Sequence, residues 1–570
     1  MNKRFLGRVR ILTLLCVFVA LIIIGRLYLL QVMRGASYTA RADAQFTQPQ
    51  SPLLDRGTIY FTDKDKTKIT AATIKDGFSI AVNPSKVTDP EALYLQLKDT
   101  IALSHDEFIA KATKAGSKYQ VVAQHLTSDV GEQLQAKQLP GLIIAQDKWR
   151  VYPGGSLAAQ EIGFVAYNGG DTVEGRYGLE RQYNSTLVRD SGDLYTNFFV
   201  ELFGGIQSVV KGEPLQGDII TTIEPSVQGE LERQLELYDQ TWHPKLSGGI
   251  IMDPKTGEIY AMAVSPNFDL NSFNTQTNPL VYANPLVENV YEMGSIIKPL
   301  TVAAGIDSGA ITENTTYNDV GCFVVDKKPI CNFDHKARGV VPIQQILSQS
   351  LNMGASFVAT QMGTSTMRNY FLEHYKLGSK TGIDMPGEVS GIVKNLSSPR
   401  AVEYDTASFG QGIALTPLET VRALAVLANG GFLVTPHMVS AVRYTSGVTR
   451  PVNTPEKISV LKPETTTTVS RMLTEVVDKA LAKGEDKIEH YSVAAKTGTA
   501  QIADPIQGGY YTDRFLHSFF GYFPSYDARF IVFLFAVEPV GAPYASTTLA
   551  PPWHSLTQFL INYYNVPPDR

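Results

Sequence analysis

A serine hydroxyl within reach of a lysine amine can be activated as a nucleophile, and this chain carries serine, lysine and asparagine in three short motifs, each in triplicate. Lys-Thr-Gly occurs at Lys255, Lys380 and Lys496, Ser-x-x-Lys at Ser208, Ser295 and Ser459, and Ser-x-Asn at Ser265, Ser272 and Ser350. Motifs this short recur by chance, so their setting has to sort them.

For Ser-x-x-Lys, "QSVVKGEP" reads as strand and turn, and "ISVLKPET" as a short strand before a helix. "EMGSIIKPLTVAAG" differs. Gly294 permits a tight start, Ser295 is an N-cap residue type, and Pro299 is tolerable only near a helix start. Ser295 and Lys298 then share a helix face. The serine lies at the positive end of the helix, and a buried lysine loses proton affinity and can serve as a base. Of the Ser-x-Asn copies, two fall in the polar loop "SPNFDLNSFN". The third, "SQSLNMG", falls at a turn or helix end where Ser350 and Asn352 can both point into a cleft.

The Lys-Thr-Gly copies sort the same way. "DPKTGEIY" is a reverse turn between two strands, with Pro early and Gly late. "GSKTGIDM" follows a helix that ends at Gly378 and runs into a loop. "AAKTGTAQ" lies in an extended segment, with Lys496 and Gly498 on one face and Thr497 on the other. Gly498 leaves room for a second backbone, and Thr499 follows it. Such an edge strand can dock an extended peptide that ends in a carboxylate. The surviving set, Ser295, Ser350 and Lys496, spans about 200 residues in a fixed order.

Positioning these groups requires a scaffold. "GGIIMD" and "EIYAMAV" read as strands, a helical block follows Ser295, strands return in "HYSVAAKTGTAQ", "HSFFGYFPS" and "ARFIVFLFAVE", and "PPWHSLTQFLINYYN" closes as a helix. That order predicts an α/β fold, a sheet covered by helices. Residues 34–222 mix strand-like runs with helical stretches and read as an elongated, non-catalytic α+β module.

"MNKRFLGRVR" is basic, and "ILTLLCVFVALIIIG" follows without a charge. Ile11–Gly25 alone would make a helix of about 22 Å, short of a hydrocarbon core of about 30 Å. Continuing through Arg26 to Met33 gives about 34 Å, enough to span. A single-pass anchor over 11–33 is expected rather than a cleaved signal peptide. The tail 1–10 is then cytoplasmic and all later residues extracytoplasmic. In "GCFVVDKKPIC", Cys322 and Cys331 flank a hairpin with its turn near Lys327–Pro329, and either a cross-link or two free thiols fits. A net charge of −5 without a basic stripe gives no reason to expect nucleic acid, and no Cys or His pair has zinc-ligand spacing. No cofactor or metal is expected.

With these motifs in order the chain resembles the class B penicillin-binding proteins, peptidoglycan D,D-transpeptidases with one membrane anchor. The resemblance extends to "DRGTIY", "RVYPGGSLAAQEIGFV", "GRYGLERQYN", "FGQGIALTPLE" and the terminal "YYNVPPD". It implies a pedestal of the dimerisation type over 34–222, containing Arg56 and Glu180, and a transpeptidase domain over 223–570 whose antiparallel sheet is flanked by helices. "FTDKDKTK" departs from the family's pattern and leaves the local pedestal turn open.

The resemblance also implies roles. Ser295 is the nucleophile, Lys298 its base, Ser350 the proton relay and Asn352 the holder of the substrate amide. Lys496, Thr497, Gly498 and Thr499 form the carboxylate-binding strand. Stem peptides ending in D-Ala-D-Ala are the substrates, β-lactams the covalent inhibitors, and a membrane glycosyltransferase of the shape/division family the partner. The division branch is closer than the elongation branch. The competing readings are an elongation-type transpeptidase and a D,D-carboxypeptidase or β-lactam sensor.

Overall fold

The computed structural model of the chain describes residues 55–169, 172–189 and 216–570. The expected tail and anchor, Cys16 and the Ser208–Lys211 motif lie outside them. Among the described residues no helix is long and apolar enough to cross a membrane.

A five-stranded sheet carries the larger of two compact units. Its strands are β1 (Leu246–Met252), β2 (Ile259–Ser265), β3 (Ala494–Ala503), β4 (Tyr510–Phe523) and β5 (Phe530–Val537). They stand in the order β3-β4-β5-β1-β2, every pair antiparallel, with β3 at one edge. Side chains alternate across a strand, and here both faces are covered. Phe519, Val532 and Leu534 pack with the helices Pro225–Trp242 and Ala550–Tyr563. Phe520, Phe533 and Phe535 face the helical block and its buried Leu300, Leu418 and Leu424. Double coverage is why "FIVFLFAV" reads as an unbroken apolar run.

The expected strands form, but β3 begins at Ala494 rather than His490 and one strand is extended. β4 begins at Tyr510, not near His517, because its outer arm is polar and largely exposed and so carries no apolar signal. The Asp253–Gly257 segment is the β1–β2 turn, closed by Gly257 N–H to Asp253 O at 2.9 Å with Gly257 at φ 84°. The third copy of the tripeptide, at Lys380, lies in a loop where the Thr381 N–H and hydroxyl both donate to Glu388.

The larger unit also takes in residues 55–73, 150–168 and 173–189. Ile59–Thr62 pairs in parallel with Gly217–Thr221, which pairs antiparallel with Val439–Tyr444. The turn in "FTDKDKTK" closes despite its departure: the Asp63 carboxylate accepts the Asp65 and Thr67 N–H groups at 2.9 and 2.7 Å. Arg56 and Glu180 are paired, as the resemblance implies, and a third group joins them. Glu180 accepts Arg56 Nε at 2.5 Å and Arg150 Nε at 2.7 Å, with all three side chains within 2% of full burial. The smaller unit, residues 74–149 with 169 and 172, has its own core of Ile80, Val82, Leu93, Leu97, Phe108 and Leu134.

Removing Glu180 would leave two buried guanidinium groups without their counter-charge. Glu180→Ala is expected to cost about 3–5 kcal/mol of stability, read by chemical denaturation, and more than a surface pair such as Lys111–Glu107, worth about 0–1 kcal/mol.

Candidate active site

Ser295 sits in a 3-10 turn, Gly294–Ile297, that runs into the helix Lys298–Asp307. It is not the N-cap of that helix. Pro299 has no N–H to return to the Ser295 carbonyl, which instead takes the Lys298 N–H one residue earlier, and that is the tighter spacing. Ser295 and Lys298 remain three apart. Ser295 is half-buried, and among the described residues its Oγ has no hydrogen-bond partner.

Lys298 is fully buried. Its Nζ donates to the Ser350 carbonyl and to Ser350 Oγ, the latter at 3.2 Å. Ser350 lies between the helices Gln344–Ser348 and Asn352–Asn369 at φ 56°, a left-handed backbone that costs a non-glycine residue about 1–2 kcal/mol. That backbone presents both Ser350 oxygens to one amine. Burial, with Lys496 nearby, holds the Lys298 amine well below the ordinary lysine range. Burial alone lowers Lys496 to about 7. Among the described residues no carboxylate forms an ion pair with either lysine.

Lys496 lies on β3 with its Nζ donating to the Thr497 carbonyl at 2.9 Å. Along this strand Lys496, Gly498 and Ala500 are buried while Thr497 and Thr499 are partly open, as the alternation predicts. Thr499 Oγ1 accepts the Ala545 N–H at 3.1 Å, which leaves its own proton free to donate. Lys496 therefore lies on the buried face of the strand, and the threonines on the partly open one.

Gly498 forms the seam between strand and nucleophile. A Cβ there would lie 2.4 Å from Ser518 Oγ and 2.8 Å from the Met293 carbonyl. On the other side, a Cβ on Gly294 would meet Ala500 and the Thr499 carbonyl. Ser518, opposite Gly498 on β4, donates to the Met293 carbonyl at 2.9 Å. Gly410, in the turn after Phe409, accepts the Gly294 N–H at 3.1 Å.

Asn352 opens its helix and donates Nδ2–H to the Cys331 carbonyl at 2.9 Å. Cys322 and Cys331 face each other across a hairpin and are joined by a disulfide. Its turn is Asp326–Lys327, both at positive φ, one step before the Lys327–Pro329 position expected. Two consecutive left-handed residues are what a two-residue hairpin needs, and Asp tolerates that backbone, so Pro329 falls in the strand.

All three surviving motifs thus border one site. Sequence reasoning missed Ser518, the Cys331 carbonyl and the Ala545 N–H. Two of these are backbone groups without a residue-type signal, and the third becomes visible only once β4 is in register.

This geometry accords with known proteins. The penicillin binding protein transpeptidase domain matches residues 248–552, and the penicillin-binding protein dimerisation domain matches residues 54–220. The chain belongs to the class B penicillin-binding proteins. Among the relatives of this penicillin-binding protein, stage V sporulation protein D of Bacillus subtilis is 28% identical, covering 94% of this chain and 82% of that protein. Peptidoglycan D,D-transpeptidase FtsI of Buchnera aphidicola is 24% identical, covering 100% and 97%. Among solved structures, penicillin binding protein 2X from Streptococcus thermophilus superposes with a TM-score of 0.73 at 23% identity, covering 90% of this chain and 80% of that one.

A methyl group at Gly498 has to push β3 off the Ser295 turn. Gly498→Ala is expected to slow covalent labelling by a fluorescent penicillin about a hundredfold, the cost of misplacement near 1 Å, while the protein still folds. Stopped-flow labelling with a thermal melt on the same sample checks it.

Proposed function

We propose that this penicillin-binding protein cross-links peptidoglycan by D,D-transpeptidation through an acyl-enzyme on Ser295. The observation that carries the reading is the buried Lys298 amine. It is hydrogen-bonded to Ser350 and stands three residues from Ser295, in a turn seated on the Gly498 seam.

Ser295 Oγ attacks the carbonyl between the two terminal D-alanines of a donor stem peptide. Lys298, with its lowered proton affinity, takes the hydroxyl proton. The Ser295 and Thr499 N–H groups hold the oxyanion, each worth about 3–4 kcal/mol. The C–N bond breaks, and Ser350 passes a proton to the departing D-alanine amine. An amine of a second stem peptide then attacks the ester, forms the cross-link and returns the proton to Ser295. Asn352, held by the Cys331 carbonyl, orients the substrate amide. Thr497 and Thr499 bind the terminal carboxylate over the Lys496 charge, with Gly498 keeping the strand close. β-Lactams acylate Ser295 as mimics of the terminal dipeptide.

The same reading puts the protein in the cell membrane by a single anchor at 11–33, with the tail 1–10 cytoplasmic. Residues 34–222 form the pedestal and 223–570 the transpeptidase domain outside. The basic flank and uncharged run support the anchor. Through the anchor and pedestal it would work with a membrane glycosyltransferase of the shape/division family. We assign it to septal wall synthesis, and the FtsI name among its relatives fits that role.

Labelling by a fluorescent penicillin tests the nucleophile. Ser295→Ala should abolish the covalent band, and equal labelling of the two proteins would refute Ser295. A pH profile tests the charge assignment. Lys496 lies below a free lysine, at about 7, so its ammonium is present below that pH and lost above it. The second-order acylation rate is expected to fall on the alkaline side of about pH 7. Lys496→Arg, slower but always charged, should lose that fall.

A further inference from the structure

The donor groove needs β3 at a fixed distance from Ser295 along its whole length. Its inner half is fixed by the Gly498 seam and by Ser518. In its outer half Ile502 packs against the core, with no glycine seam beside it. The register with β4 shifts between Gln501 and Ala503, and a bulge there bends and twists the strand. Beyond the bulge the hairpin is largely exposed, with Ile506 at its tip 87% accessible. The tip therefore has no core of its own to hold it.

The Glu292 carboxylate reaches its base at Tyr510. Glu292, three residues before Ser295, accepts the Tyr510 hydroxyl proton at Oε2 (2.9 Å) and the Gly412 N–H at Oε1 (3.1 Å). Tyr510 is the first residue of β4, opposite Ala503. Gly412 lies two residues after Gly410, which accepts the Gly294 N–H. Tyr291, beside Glu292, pairs its backbone both ways with Leu415. Glu292 thus ties three segments at one point: the nucleophile turn, the outer hairpin and the glycine turn. Among the described residues it forms no ion pair, so its two oxygens are committed to these neutral donors.

We propose that Glu292 is a positioning residue, a latch that holds the outer end of the β3–β4 hairpin to the Ser295 turn and sets the width of the donor-peptide groove. The inference rests on the transpeptidase reading of the same site. Its chemistry is hydrogen bonding, not proton transfer, so a neutral side chain of the same shape should serve. Glutamine can accept the Gly412 N–H through its carbonyl and donate its amide to the Tyr510 oxygen.

The test is the second-order rate of Ser295 acylation by a fluorescent penicillin, measured on the full chain with a thermal melt alongside. A hydrogen bond between uncharged groups is worth up to about tenfold. Tyr510→Phe is expected to acylate about tenfold slower at an unchanged melting temperature. Glu292→Ala should be at least as slow, Glu292→Gln should recover most of the wild-type rate, and adding Tyr510→Phe to Glu292→Ala should cost little more. A wild-type rate for Tyr510→Phe overturns the latch, as do effects that simply multiply. A glutamine variant as slow as the alanine one also overturns it, because the charge would then be what matters. Failure of the wild-type protein to label at all would instead sink the transpeptidase reading, so the two failures are distinct.

Discussion

Two lysine amines buried together without a carboxylate are the constraint around which this structure is arranged. Lys298 and Lys496 are both removed from water, and each lacks an ion-pair partner among the described residues. Burying an ammonium is costly, and burying two side by side compounds the cost through repulsion. The fold tolerates this by lowering the proton affinity of both amines, Lys298 well below the ordinary lysine range and Lys496 to about 7. The result is a Lys298 amine of lowered proton affinity, within hydrogen-bonding distance of Ser350. Any looser packing that admitted water would restore the ordinary proton affinity of both amines.

The burial follows from how the walls meet. Lys298 enters from a helix whose side chains are almost all buried, and Lys496 from the inner face of an edge strand. The strand can seal against the turn because Gly498, Gly294 and Gly410 leave out the side chains that would hold the backbones apart. Ser518 adds a hydrogen bond from the neighbouring strand where the seal is tightest. The left-handed Ser350 is part of the same arrangement: its carbonyl gives the Lys298 amine a neutral acceptor in place of a carboxylate. A counter-ion there would have pinned the proton on the lysine.

The sequence made much of this legible for identifiable reasons. Turn chemistry separated Asp253–Gly257 from "AAKTGTAQ", and period-two alternation put Thr497 and Thr499 on the face opposite Lys496. Pro299 correctly marked a helix start, although its missing N–H turned the expected N-cap into a 3-10 turn at Ser295. Three things were not legible. The Cys331 carbonyl and the Ala545 N–H act as backbone, which every residue has. The outer arm of β4 alternates too weakly in hydropathy to read as strand. Ser518 gains its role only from facing Gly498, a fact of register. Side-chain chemistry was written in residue types, and the groups that aim it were written in topology.

Topology also explains why the catalytic unit reaches back so far along the chain. The strand Gly217–Thr221 is bonded on one side to Ile59–Tyr60 and on the other to Val439–Tyr444, so early and late segments share one hydrogen-bonded ladder. Hydrogen-bonded strands cannot slip by one residue without turning their buried faces outward. Ile59 and Ile219 are both fully buried. Arg56 and Arg150 then clamp Glu180, and Asp384 receives the Met438 and Val439 N–H groups and the Tyr183 hydroxyl. Each tie joins segments far apart in sequence by groups that cannot be left unpaired once buried. The segment matched by the dimerisation model therefore does more than precede the catalytic fold: its first and last strands are structural members of it.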